Sequence, residues 1–180
     1  MVFWVKVPED APLSDAYAIV AWNTSCKKLD QHPVHINWNR NPVEGTVGVL
    51  RTDYGGGFAL GATPLRDGRW HHVAVVFAPG DDEKSPVEVK QYVDGRLEGE
   101  GNPSPRGARK SPVVDDAQDT ATQTNVIWFG RRLGHERQRK DRFRGELDEL
   151  FIADRALGPR EIVQLMKDNE PPAQLAATAK

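Results

Sequence analysis

The chain has 180 residues, enough for one domain with a sizeable core. Its net charge of -2 at 28% charged residues excludes a global basic field of the kind that holds nucleic acid or an anionic membrane. The single cysteine, Cys26, excludes an intrachain disulfide. The sequence also has no apolar run of the roughly 18 residues that a membrane-spanning helix needs, so we expect no membrane insertion.

Short runs rich in Val, Ile, Phe, Trp and Tyr recur between turn residues, which is typical of an all-β sandwich. Strands are predicted at 2–7, 17–22, 34–39, 46–51, 57–60, 70–78, 87–93, 126–130 and 144–153. Apolar and polar residues alternate over 34–40, which predicts a half-buried strand, whereas 73–77 is apolar on both faces, as in a central strand. Asp94-Gly95 predicts a tight hairpin with a returning strand at 96–98.

One helix is predicted near the end of the chain. It opens at Pro159 and carries Ile162, Leu165 and Met166 at helical spacing, ending near Asp168. We expect residues 1–170 to form one domain, cut from a longer protein and lacking its first strands, because a strand pattern starts at residue 2. The composition of 99–125 favours disorder over a functional loop, and 171–180 is predicted to be a flexible tail.

Four ordered blocks carry a resemblance to a known family. They are DGRWHHVAVVF at 67–77, QYVDG at 91–95, VIWFG at 126–130 and FRGELDEL at 143–150. Together they resemble a laminin-G-like, concanavalin A-like jelly roll. The resemblance implies two packed antiparallel sheets with one short C-terminal helix. It also implies a binding or adhesion module of a larger extracytoplasmic protein, either periplasmic, secreted or at the cell surface, without fixing the ligand.

Three carboxylates on the last predicted strand raise the question of hydrolysis. Glucanases of similar fold place three acidic residues at alternating positions of one strand. Here Glu146 and Asp148 share a face, but Leu150 follows them on that face and Glu149 points to the other side. Unless a bulge intervenes the set is incomplete, so we expect no catalytic residues and no enzyme. Asp148 and Glu149 are instead expected to accept backbone hydrogen bonds or to pair with Arg144 and Arg155.

Calcium is a candidate cofactor, because laminin-G-like domains often hold this ion at a rim. Its oxygen ligands would have to converge from separate loops, since no contiguous calcium loop exists in the sequence. Asp148 is the candidate ligand that we single out. The other aspartates in or near predicted turns are Asp53, Asp81, Asp82, Asp94, Asp115 and Asp116.

Sugar binding needs an exposed aromatic ring edged by polar side chains. The best local sets are Trp38 with Arg40, and Tyr54 with Asp53. Trp38 alternates with apolar residues, which favours a core position, whereas Tyr54 precedes three glycines and is predicted to be the exposed ring. The candidate ligand-binding residues are therefore Tyr54, Asp53, Trp38 and Arg40.

His71 and His72 are adjacent on a predicted strand, so they face opposite sides and are not expected to bind one ion. His72 shares a face with Trp70 and Ala74 and is predicted to be buried and hydrogen-bonded. A basic cluster follows the strand at 126–130, and a solvated loop is favoured over binding of an acidic glycan or protein. Its members are Arg131, Arg132, Arg137, Arg139, Lys140, Arg142 and Arg144.

These features lead to one functional hypothesis and two alternatives. We expect a non-catalytic recognition or adhesion module whose partner is a glycan, and no nucleic acid. A structural spacer or a domain that binds another extracellular protein is the first alternative. A glycoside hydrolase is the second.

Overall fold

The computed structural model describes residues 1–12, 19–22, 34–54, 57–78, 88–101, 127–130 and 143–170. Within these residues the chain forms ten strands and one helix, and the elements follow in this order. They are β1 (Val2–Lys6), β2 (Val20–Trp22), β3 (Val34–Trp38), β4 (Val49–Tyr54), β5 (Gly57–Pro64), β6 (Trp70–Ala78), β7 (Glu88–Val93), β8 (Arg96–Gly101), β9 (Trp128–Phe129), β10 (Glu146–Phe151) and α1 (Pro159–Asp168).

The strands form two antiparallel sheets of five strands each. Sheet A has the order β10-β1-β6-β7-β8, and sheet B has the order β5-β4-β3-β2-β9. Strand β1 lies between β10 and β6, so it is paired on both sides. The predicted two-sheet antiparallel sandwich with one short C-terminal helix is confirmed.

The core lies between the sheets and follows from the two-residue period of the strands. Phe3 and Val5 of β1 point inward, as do Ile36 and Trp38 of β3, and all four are almost completely buried. A buried hydrogen bond joins the two sheets within this core: the Thr52 hydroxyl donates to Gln91 Oε1 at 2.6 Å. Truncating either side chain of such a buried pair lowers the stability of the fold, because the other side chain then loses its hydrogen bond.

Strand β4 begins three residues later than predicted. The preceding loop runs through Gly48, whose φ of 90° suits glycine. The Asn39 side chain closes this loop by donating to the carbonyl oxygens of Asn41, Gly45 and Thr46 at 2.9–3.0 Å. Consequently Asp53 and Tyr54 belong to the strand rather than to a glycine-rich turn.

Where β5 of sheet B lies over β8 of sheet A, the backbones of the two strands come close enough to touch. The Glu98 carboxylate accepts the N–H groups of Ala62 at 3.0 Å and Thr63 at 2.8 Å, so part of the backbone of β5 is satisfied by a side chain of the other sheet. Beside it, a Cβ atom at Gly99 would collide with the carbonyl oxygen of Leu60. A glycine is therefore required where the edges meet.

Helix α1 packs on the outer face of sheet A. Ile162 and Leu165 are buried there against a cluster that includes Val2, Ala74 and Tyr92. At the start of the helix Glu161 Oε2 accepts the N–H of Gly158 at 2.9 Å. The predicted helix is confirmed, with Pro159 in its first turn. In the part of the chain that is described, no helix has both the length and the apolar character to span a membrane.

Several predictions fall outside the described residues. Strand β8 extends to Gly101, so 99–101 is ordered sheet, but the rest of the proline-rich segment up to 125 is not described. The predicted tail at 171–180 also lies outside.

Replacing Gly99 with alanine should destabilise the fold. Because the new methyl group meets backbone rather than a flexible side chain, we expect the free energy of unfolding in urea to fall by about 2 kcal/mol or more. Leu97→Ala, at an exposed position of the same strand, is the control and should cost less than about 1 kcal/mol. Equal effects of the two variants would contradict the close approach of the edges.

The carboxyl group of Glu161, in the first turn of α1, should make the free energy of unfolding depend on pH. Hydrogen bonds from Arg155 and from the Gly158 backbone hold the pKa of Glu161 at about 2, against a usual 4.5. Since the folded pKa is depressed, the stabilisation is present above pH 4.5 and is lost as the pH falls towards 2. In urea unfolding, Glu161→Gln should cost about 0.5–1 kcal/mol at pH 7 and almost nothing near pH 2, with solvent screening keeping the effect small. Asp168→Asn, at the other end of the helix, should show no such loss.

Candidate functional site

The two aromatic rings predicted to bind ligand are both buried. Tyr54 is 3% exposed, so the prediction of an exposed ring is wrong. It faces inward because β4 continues through it, and its ring meets that of Phe77 edge-on, with 6.4 Å between centroids. Burial, with the charge of Glu88, raises the pKa of Tyr54 above its usual range. Trp38 is 0% exposed, in the core position that its alternation favoured.

Asp53 lies on the outer face of sheet B within a polar network. Its carboxylate accepts from Arg51 Nε at 2.8 Å and from Asn37 Nδ2 at 2.9 Å. The Arg51 guanidinium also pairs with Glu44 and stacks 4.0 Å from the ring centroid of Phe58. Burial alone would lower the pKa of Arg51, but the carboxylates of Asp53 and Glu44 outweigh it and raise the pKa.

The other predicted residue of this region, Arg40, is exposed just after the end of β3. The structure therefore leaves two of the four predicted residues, Asp53 and Arg40, at the surface. Among the side chains that the structure describes, no exposed tyrosine or tryptophan lies beside them.

Trp70, the exposed tryptophan among the described side chains, was not among the predicted site residues. It is the first residue of β6, is 39% exposed, and faces outward on sheet A. Lys6 of β1 is paired in register with Trp70 on one side and with Glu146 on the other. The Lys6 ammonium lies 2.9 Å from Glu146 Oε1 and 6.0 Å from the Trp70 ring centroid. We call these three residues the Trp70 face.

A signal for Trp70 was present in the sequence. Because residues two apart on a strand point to the same side of the sheet, Trp70, His72 and Ala74 are predicted to share one face. Trp70 stands at the start of the strand beside the turn residues Asp67 and Gly68, where a sheet is least covered. Its place in a block that resembles a known family favoured a structural role instead.

Two carboxylates fix the backbone on both sides of Trp70 through the buried His71. Asp67 Oδ1 lies 3.1 Å from His71 Nε2, and Asp94 Oδ2 lies 2.9 Å from His71 Nδ1. Asp67 also accepts the N–H of Arg69 at 2.9 Å, and Asp94 accepts that of His72 at 2.9 Å. Burial would raise the pKa of Asp67, but the bonds from Arg69 and His71 lower it overall. The turn before β6 and the β7–β8 hairpin are thereby tied together.

His72 lies next to Trp70 on the outer face and is buried, as predicted. Burial lowers its pKa to about 4, against a smaller opposing effect of Asp94, so the ring is neutral near pH 7. The ring meets Trp4 in a T-shaped contact at 5.2 Å. The predicted hydrogen bonding is not found at Nδ1, which has no partner among the residues that the structure describes.

The carboxylates of β10 do not form a glucanase-like set, but the reason differs from the expected one. Asp148 pairs with Trp4, yet Phe151 pairs with Val2, so a β-bulge intervenes. Within it Glu149 takes a left-handed φ of 49°. The residue that follows Asp148 on the outer face of sheet A is therefore Phe151. The prediction from simple alternation, which placed Leu150 there, is wrong.

The partners of these acidic side chains also differ from expectation. Asp148 Oδ1 accepts the N–H of Glu149 at 2.9 Å, which agrees with a backbone partner. Arg155, however, pairs with Glu161 at 2.5 and 3.0 Å rather than with Asp148 or Glu149. Glu146 is paired with Lys6.

The predicted calcium ligand Asp148 is not part of a cluster of acidic side chains among the described residues. No three Asp, Glu, His or Cys side chains converge within the described ranges, and Asp148 is exposed and bonded to its own neighbour. A calcium site needs several converging oxygens, so the role of Asp148 as a ligand stays a prediction. The remaining candidates Asp81, Asp82, Asp115 and Asp116, and the basic cluster apart from the exposed Arg144, lie outside the described residues.

The two antiparallel five-stranded sheets, packed face to face, define a β-sandwich. The chain belongs to the laminin-G-type family of the concanavalin A-like lectin/glucanases superfamily. The model of that family matches residues 1–163. Domains of this type are generally non-catalytic binding modules, although the superfamily includes glycosidases. No curated protein matches the chain in sequence.

Fluorescence quenching should distinguish Trp70 from Trp38, two of the five tryptophans of the chain. Because Trp70 is exposed and Trp38 is not, Trp70→Phe should remove a component that acrylamide quenches readily, whereas Trp38→Phe should remove one that acrylamide hardly reaches. Stern–Volmer plots of the two variants against the unmodified protein measure this. A loss of quenchable emission in Trp38→Phe alone would contradict the assignment of the two faces.

Proposed function

We propose that this domain is a non-catalytic carbohydrate-recognition module of a larger extracytoplasmic protein, and that the Trp70 face is its binding surface. The observation that carries the proposal is the exposed Trp70 ring in register with the Lys6–Glu146 ion pair. The extracytoplasmic setting is supported by the family alone.

Sugar chemistry supports this choice of surface. A pyranose has an apolar face that packs on an aromatic ring, and hydroxyl groups that need donors and acceptors beside that ring. Lys6 supplies donors and Glu146 supplies acceptors. All three residues stand on adjacent strands of one sheet, so little conformational freedom is lost on binding.

The outer face of sheet B supports the proposal less well. An exposed ring on that face is Phe58, and the Arg51 guanidinium already stacks 4.0 Å from its centroid. By contrast, Lys6 lies 6.0 Å from the centroid of Trp70, at the limit of a cation–π contact. In this proposal Asp53 and Arg40 keep a role only as polar contacts of a secondary surface.

A protein-binding or spacer role is the second candidate, and one observation favours it. Phe129 on β9 and Leu150 on β10 are exposed by 42% and 46%, and both strands are at sheet edges. Exposed edge strands with apolar side chains are suited to pairing with another chain.

Affinity electrophoresis through gels that contain soluble glycans tests the proposal. We expect at least one glycan to retard the protein, and Trp70→Ala to weaken the interaction about tenfold or more, equivalent to about 1.4 kcal/mol. Phe58→Ala, which truncates an exposed ring on the other sheet, is the matched control and should bind normally.

Three other outcomes would contradict parts of the proposal. Loss of binding in Phe58→Ala but not in Trp70→Ala would move the site to sheet B. Absence of any glycan binder, with or without calcium, would favour the spacer role. Turnover of a β-glucan that is lost on Glu146→Gln would show an enzyme.

A further inference from the structure

We propose that the Trp70 face selects uncharged sugars with two neighbouring hydroxyl groups, and discriminates against carboxylated sugars, through the Lys6–Glu146 pair. The inference rests on the proposed function, because it concerns the ligand of that same surface.

The positions of Trp70, Lys6 and Glu146 across three strands would allow the protein to hydrogen-bond two hydroxyl groups of a sugar ring that is stacked on Trp70. Neighbouring strands lie about 4.8 Å apart, so the positions of Trp70, Lys6 and Glu146 span about 10 Å across β6, β1 and β10. A sugar ring placed on Trp70 therefore brings its polar rim to Lys6 and then to Glu146.

The ion pair presents a donor and an acceptor side by side. An ammonium group has three donors and no acceptor, and a carboxylate only accepts. With Lys6 Nζ and Glu146 Oε1 2.9 Å apart, one ligand hydroxyl can accept from Lys6 while its neighbour donates to Glu146. The side chains are 35% and 62% exposed, so both can reach a ligand without separating.

Charge compensation is the reason for selectivity against anions. A ligand carboxylate near Lys6 would lie equally near the carboxylate of Glu146, so attraction and repulsion largely cancel. The ligand would also lose hydration of its charge without a compensating partner. Asp148, exposed further along β10, adds repulsion. Neutral hydroxyls meet none of these costs.

The test compares polygalacturonate with its fully methyl-esterified form, a neutral polymer of the same backbone, by affinity electrophoresis or calorimetry of the whole domain. The unmodified protein should bind the neutral polymer at least tenfold more tightly. Glu146→Lys leaves two uncompensated cations, so it should weaken neutral binding and strengthen polygalacturonate binding at least tenfold. Lys6→Met leaves Glu146 uncompensated and should weaken binding of both polymers.

A matched control is available on the same sheet. Glu88 and Lys90 form a comparable ion pair on β7, at 3.2 Å, and Glu88→Lys changes the net charge as Glu146→Lys does. It should leave the preference between the two polymers unchanged. This control separates a local effect at the Trp70 face from a general effect of net charge.

The outcomes separate the inference from the proposed function. Tighter binding of polygalacturonate by the unmodified protein, still lost in Trp70→Ala, would overturn the inference and leave the proposed function standing. An unchanged preference in Glu146→Lys would do the same. Failure of both polymers to bind would overturn the inference, and binding that Trp70→Ala does not affect would overturn the site and the inference together.

Discussion

The structure depends on the two-residue period of β1, the strand that is paired on both sides within sheet A. Phe3 and Val5 point into the core between the sheets, whereas Trp4 and Lys6 point outward. A shift of one residue would exchange these sets and lose both the core and the outer surface at once. Packing thus fixes the position of Lys6 between its two partners, and the surface chemistry of sheet A follows from the burial of its inner face.

The outer face of sheet A has two different parts because α1 covers only one of them. Where Ile162 and Leu165 pack, the sheet carries apolar residues such as Val2 and Ala74. Beyond the contact of Trp4 with Asn169 at the end of the helix, the face is left to Trp70 and its charged neighbours. The exposure of Trp70 on this face is therefore a result of where the helix ends. The ties of His71 to Asp67 and Asp94 hold the turns that flank this ring.

Much of the fold followed from local patterns in the sequence. The Asp94-Gly95 turn and the Pro159 helix start lie where the residue types require them, because their signals reside in a few neighbouring residues. Longer-range effects were not predictable in this way. The side chain of Asn39 closes a loop and moves the start of β4, which buries Tyr54. The bulge at Glu149 changes which residue follows Asp148 on the outer face, since a bulge is a property of the strand pair and not of one strand. The candidate site was missed for a related reason: whether Trp70 is exposed depends on how far α1 extends over sheet A.

The central claim is that recognition takes place on the outer face of sheet A and not on sheet B. Titration of isotope-labelled protein with a binding glycan, followed by two-dimensional NMR of backbone amides and tryptophan indoles, tests it most directly. The account predicts that the Trp70 indole and the amides of Lys6 and Glu146 shift, while the Trp38 indole stays unchanged. Shifts confined to Asp53, Phe58 and their neighbours on sheet B would contradict it.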